Sequence, residues 1–226
     1  MVDAFPDSSP SFPGRRMNQP HDSAHADALA ALRAATGARH ERLDSGMPLA
    51  RPAPDLADYA AHLTMVRDWL LPLKAWLARF DDGPQAALPA VAHVELIEAD
   101  LNEPGMPPRA APRLPPAPSP AGWPLDASAA YRWGVCYVIE GSQLGGKVLY
   151  GRLSERLAPH PLRYLRGADE GPGPRWRAFM LALKLDVTTP EQIADACQGA
   201  CDAFDSILAL GTGTATAAGS VSAATK

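Results

Sequence analysis

Tyr131 to Leu149 reads as a single helical run, YRWGVCYVIEGSQLGGKVL, that carries Gly134, Gly141, Gly145 and Gly146 in its interior. Glycine inside a helix costs about 1 kcal/mol relative to alanine, so this run gives up roughly 4 kcal/mol of helix propensity. At about 100° per residue, Gly134, Gly141 and Gly145 fall within about 40° of one another. Tyr131, Val135, Val138, Ile139, Leu144 and Leu149 mark the run as buried and still helical. A helix stripped of side chains along one stripe admits either a second helix at close range or a flat, bulky ligand. Both readings remain open on this stretch alone.

The other segments are helical as well. Leu29, Leu32, Thr36 and Leu43 recur at spacings of three, four and seven, and a first helix is expected to start from Ser23 or Asp27 and end near Ser45-Gly46. His40 lies on that stripe, so the spacing turns it inward, as a hydrogen-bonded core residue or a ligand. Asp55 opens the strongest helix, with Leu56, Tyr59, Leu63, Val66, Leu70, Leu73, Leu77 and Phe80 in unbroken register and Pro72 as a source of a kink. A third helix is expected over 85–102, with His93 and Glu95 on its surface. Residues 103–125 hold nine prolines and read as a surface crossover loop. The glycine helix follows and is expected to reach Pro159. After a loop over 160–174 come a helix over 175–185 and a last one entered through the capping box Thr189–Gln192. No stretch alternates with period two, so the fold class is all-α: a single-domain, multi-helix bundle over residues 25–210. Residues 1–24 and 211–226 lack apolar period and read as disordered tails.

Composition removes whole classes of function. A net charge of −4 without a Lys/Arg cluster leaves no footprint for nucleic acid. No apolar run is long enough to span a bilayer, and no signal peptide is visible. Three cysteines without CxxC point to a reducing, cytoplasmic setting, with Cys197 and Cys201 as small core residues. The Glu-x-x-His pairs of di-iron bundles, HExxH, GxSxG and the phosphate-binding glycine loops are all absent. What remains is an inward histidine, a glycine-striped helix and an aromatic-rich body. A histidine can hold haem iron from one side, and a bare backbone leaves room for the porphyrin on the other. The same features also suit a helical interaction protein whose glycines serve only packing.

LRAATGARHERLD at Leu32–Asp44 resembles the proximal helix of the biliverdin-producing haem oxygenases. YVIEGSQLGGKVL at Tyr137–Leu149 resembles their distal helix, most closely that of the bacterial branch. HLTMVRDWLLPLKAWL, HVELIEADL and RWRAF are similar to the regions between and after. The resemblance runs from about Leu29 to Leu210. It implies an all-α fold with haem between the two motif helices, and cleavage of haem to biliverdin, carbon monoxide and ferrous iron. That reaction takes dioxygen and electrons from a reductase or ferredoxin. By the same resemblance His40 is the proximal iron ligand, and Gly141, Gly145 and Gly146 are the glycines that cross the haem face. Ser142 stands where animal members carry an aspartate that organises distal water, which leaves the proton route open. Gly37 stands where some members carry a propionate-binding lysine, so Arg33, Arg177 or Lys184 is expected to supply that cation. A haem-sequestering protein without catalysis is the alternative on the same scaffold.

Overall fold

The computed structural model describes residues 27–218, apart from 110, 116, 119–121 and 169. The readings of residues 1–24, Ser23 and 219–226 lie outside the described residues. Eight α-helices and a single turn of 3-10 helix make up the described regular structure: α1 Ala28–Gly46, α2 Leu56–Leu77, α3 Pro84–Ala87, α4 His93–Leu101, α5 Ala129–Leu153, α6 Arg163–Arg166, α7 Gly173–Asp186 and α8 Pro190–Ala218. The all-α expectation holds. Among the described residues, no helix is long and apolar enough to cross a membrane.

The helix starts follow the side chains that satisfy their first amides. Asp27 accepts from the Leu29 amide, and Ser128 accepts from the Tyr131 amide. Asp55 and Asp58 form a reciprocal capping box at α2. At α8 the Thr189 hydroxyl and the Gln192 side chain exchange bonds with each other's backbone amides.

Four expected bounds change. The helix expected over 85–102 is broken into α3 and α4, because Leu88 precedes Pro89 and is driven to φ −132°, ψ 137°. The glycine helix stops at Leu153, short of Pro159, and residues 154–159 continue as turns. The segment 160–174 contains the single helical turn α6. At the far end α8 carries on past Leu210, where apolar periodicity ends, with Gly211 beside Met65 of α2.

The long helix α8 is the spine. α5 and α1 both pack along it, and α5–α8 is the most extensive helix pair. Small residues make that closeness possible: Ala196, Ala200 and Ala203 are fully buried on α8, at the spacing of one helix face. α2 closes the core with Tyr59, Leu63, Trp69 and Leu73, and the Trp69 indole donates to Ser206 Oγ at 3.0 Å. The proline-rich segment is pinned at several points. Trp76 donates to the Pro124 carbonyl at 2.8 Å, and the Arg113 amide donates to Asp68 Oδ2 at 2.7 Å.

Asp100, 0% exposed, ties α4 to α6. Its carboxylate accepts from Tyr59 Oη at 2.7 Å, the Arg163 amide at 3.0 Å and the Tyr164 amide at 2.9 Å. Burial first, then the Asp100 charge, hold the Tyr59 proton well above its ordinary range. Asp100→Ala would strand a buried hydroxyl and two amides, a loss on the order of 3 kcal/mol or more. Chemical denaturation of the variant should show that loss as a lower midpoint, with the far-ultraviolet helical signal retained below the transition.

Candidate haem-binding site

His40 sits one turn beyond Thr36 on the stripe that buries Leu29 and Leu32. The expected inward turn is not what the structure shows: the His40 side chain is 63% exposed. Thr36 is buried, whereas at His40 the ring has Phe204 of α8 alongside, at 5.9 Å between centroids, and most of the side chain is open. Period alone carries no information on where a neighbouring helix stops covering a stripe. The imidazole is nonetheless held. Nδ1 lies 3.0 Å from Asp44 Oδ2, so in the neutral ring Nδ1 carries the proton and Nε2 is left as an exposed lone pair. Asp44 is the positioning residue that sequence reasoning missed, although the i,i+4 spacing to His40 was legible.

The glycines of α5 divide by what their missing side chains would meet. A Cβ at Gly134 would lie 1.8 Å from the Ala196 carbonyl oxygen, so this glycine serves the α5–α8 crossing. On α8, Gly199 does the same against the Tyr131 carbonyl, at 2.1 Å. A Cβ at Gly146 would make ordinary contact with Leu165, which places that glycine against α6. At Gly141 a Cβ would touch the edge of the Trp176 ring, at 3.9 Å, and at Gly145 it would meet nothing within 4 Å. The stripe is therefore divided by its surroundings. Packing takes Gly134, and the open face is Gly141 and Gly145.

α1 and α5 meet through the Tyr137 hydroxyl, which interacts with Thr36. Burial raises the Tyr137 pKa, and Arg33 and Thr36 act in the opposite sense. Tyr137 lies 5.7 Å from Trp176 between ring centroids, and Trp176 stacks on Phe179 at 5.5 Å. One turn beyond Thr36 is His40; one and two turns beyond Tyr137 are Gly141 and Gly145. The structure thus joins the helix of the exposed imidazole to the helix of the open glycines, with α7 beside them.

The polar groups around this face are only partly committed. The Ser142 hydroxyl donates to the Ile139 carbonyl at 2.7 Å, and Gln143 Nε2 donates to Tyr164 Oη at 3.1 Å. Arg33, Arg177 and Lys184 are exposed and make no ion pair among the described residues. Arg33 stands nearest the Thr36–Tyr137 junction, through its interaction with Tyr137. Arg177 and Lys184, seven apart on α7, share one face of that helix. His62 and His160 are elsewhere in the core. His160 bridges the Asp100 carbonyl and the Leu162 amide, and burial lowers His62 to about 4. Among the described residues, no group of three or more His, Cys, Asp or Glu is placed to hold a metal ion directly.

This donor set suits haem. A planar metal complex needs one neutral imidazole with a free Nε2, a face without side chains, and cations for its carboxylates. His40, Gly141 with Gly145, and Arg33 near Tyr137 answer to those needs, with Arg177 and Lys184 exposed on the neighbouring α7.

No family model matches the chain. Over 88 residues it is 43% identical to a Xanthomonas campestris pv. campestris (strain 8004) protein named heme oxygenase, a match covering 35% of this chain and 53% of the other. The chain thus spans about half the length of that curated relative. Its fold superposes on the crystal structure of the NO- and CO-bound heme oxygenase from Neisseria meningitidis with a TM-score of 0.62. That match covers 84% of this chain and 92% of the other, at 24% identity. The chain has the haem oxygenase fold. The resemblance to the bacterial haem oxygenases, first carried by two short motifs, is borne out by one partial sequence match and by the architecture of most of the chain. Within the haem oxygenase fold, α1 and α5 are the two helices that bear those motifs.

Proposed function

We propose that this chain is a haem-degrading oxygenase that cleaves haem to biliverdin, carbon monoxide and ferrous iron. It would use dioxygen and an electron-donating reductase or ferredoxin. The observation that carries the proposal is the placement of two features on helices joined at Thr36–Tyr137. One is a surface imidazole with Nδ1 fixed and Nε2 free, and the other is a stretch of helix backbone open at Gly145. Bound haem would supply the iron on which dioxygen is activated, as well as the carbon that is oxidised.

The chain's own residues have distinct tasks in this reading. His40 offers Nε2 to the iron, and Asp44 accepts from Nδ1 and fixes the orientation of the ring. Gly141 and Gly145 let the α5 backbone approach the ring plane, which confines a small ligand and shields it from bulk water. Arg33, Arg177 and Lys184 are the candidates to pair the propionates. The Gln143 amide and Tyr164 hydroxyl, linked at 3.1 Å, hold polar hydrogens at a fixed position close to Ser142.

Ser142 supports a second reading. Its hydroxyl proton is already given to the Ile139 carbonyl, so it has none to deliver without rotating. A protein that only sequesters haem would need no such delivery. One experiment separates the two: haem is titrated into the purified full chain, then reductant is added in air. A histidine-ligated Soret band that decays as bilin absorbance grows supports the oxygenase, and a band that persists supports sequestration.

Gly145→Leu sharpens the test. Open space at this glycine means that leucine should leave the melting temperature of the haem-free chain unchanged or raised, because a poor helix former is lost. Bilin formation should nevertheless fall by at least tenfold. Equal turnover in this variant and the parent would remove Gly145 from the haem face.

A further inference from the structure

A cavity of about 290 Å³ lies among α2, α3, α4, α5 and α7, on the side of α5 that bears Cys136, Ile139 and Glu140. At 100° per residue that side is roughly 150° around the helix axis from Tyr137, Gly141 and Gly145, so the cavity is separate from the haem face. Its walls are mainly apolar, with Leu70, Leu77, Leu88, Val91, Val94 and Ile139 contributing. An apolar cavity of about 150 Å³ is enough to hold benzene, so this one has room for a substituted ring.

The polar groups in the walls are almost all saturated. Both Glu140 carboxylate oxygens accept from Arg175, at 2.6 Å each, and Arg175 also donates to the Pro89 carbonyl. Gln85 accepts from Arg132 at 2.7 Å and donates to Cys136 Sγ at 3.7 Å. Lys74 is paired with Glu95 at 2.6 Å. Burial pushes the Cys136 thiol up to about 12, so it is not a nucleophile here. His93 is the exception. Both its ring nitrogens are shut off from solvent and neither has a hydrogen-bond partner.

His93 was expected to be a solvated surface residue, and the break at Pro89 is what turns it in. Burial, the main cause, lowers its pKa, which keeps the ring neutral with one N–H and one lone pair unmet. Each such buried group left unpaired costs about 1–3 kcal/mol, and a hydroxyl, which can donate to the bare nitrogen or accept from the N–H, would relieve one of the two. His93 lines the cavity with both nitrogens covered, so a partner in the cavity reaches one of them only as the ring turns on binding. The partner's charge is also constrained. A carboxylate would enter beside Glu140 and an ammonium beside Arg175 and Lys74, and neither charge would find a free counter-ion.

We propose that this cavity is a binding site for a small uncharged phenol, whose ring fills the apolar space and whose hydroxyl pairs with His93. The proposal does not depend on haem chemistry. The haem-free full chain, labelled with ¹⁵N-histidine, would be titrated with 4-ethylphenol and, in parallel, with ethylbenzene. The expected result is saturable binding of the phenol, a shift of the His93 ring nitrogens and an affinity at least tenfold above that for ethylbenzene. His93→Phe, which keeps the ring and removes both nitrogens, should bring the two affinities together. Leu88→Trp, in the half-buried connector between α3 and α4, should fill the cavity and abolish both. Absence of saturable phenol binding by the folded parent would overturn the site, as would a shift at His40 without one at His93. Persistence of the phenol preference in His93→Phe would overturn the role of the imidazole, whether or not the Leu88 variant folds.

Discussion

His40→Ala should all but stop bilin formation while leaving the haem-free protein as stable as its parent. The second half of that expectation comes from exposure. A side chain 63% in solvent, paired only with a neighbouring carboxylate, contributes within about 0.5 kcal/mol to folding. The first half comes from chemistry, because no other described histidine lies on the α1–α5 face. His62 and His160 are buried in the core, and His93 faces the cavity behind α5. On the proposed assignment the variant should still take up haem, with the iron lacking its imidazole and the Soret band moved. Added imidazole should restore part of the turnover by occupying the vacated space. His62→Ala and His160→Ala should do the reverse, lowering the melting temperature while a histidine-ligated spectrum survives in the folded fraction. A parental spectrum and parental turnover in His40→Ala would exclude the assignment, and with it the proposed function as drawn here.

Gly134→Ala should be among the most destabilising single-methyl additions in the chain. The new carbon would lie 1.8 Å from the Ala196 carbonyl oxygen and 2.8 Å from the Ala200 amide nitrogen, both backbone atoms of α8. Backbone cannot step aside as a side-chain tip does, so α5 and α8 must separate along their most extensive contact. Overpacking costs about 1–3 kcal/mol, and a clash with backbone belongs at the upper end, about 3 kcal/mol, against a gain of about 1 kcal/mol in helix propensity. For a chain of this size the net loss of about 2 kcal/mol corresponds to a melting temperature lower by roughly 4–8 °C. Gly199→Ala, at 2.1 Å from the Tyr131 carbonyl, should behave in the same way. Gly145→Ala, on the same helix with open space around it, should be neutral or stabilising. Thermal melts of the three variants would read the division directly, since three similar values would mean that the stripe serves a single purpose.

The contrast between these glycines shows how far sequence reasoning reaches. Sequence determined the helical class, because apolar spacings of three and four recur through every segment and nothing alternates with period two. It also determined the starts of the four longest helices, since Asp27, Asp55, Ser128 and Thr189 cap through local bonds that depend on a few residues of chain. Short motifs on α1 and α5 were enough to single out the pair of helices that the fold joins at Thr36 and Tyr137. What those residues face was beyond its reach. Periodicity defines a stripe on a helix, but the extent of its cover is set by the length and crossing of the neighbouring helices. That is why His40 lies in solvent on a stripe that begins buried, and why Gly134, Gly141 and Gly145, within about 40° of one another, meet a carbonyl, an indole and open space in turn. The same limit explains His93. A proline four residues earlier resets the direction of α4, and only the packed helices decide that the ring then closes on a cavity instead of on water.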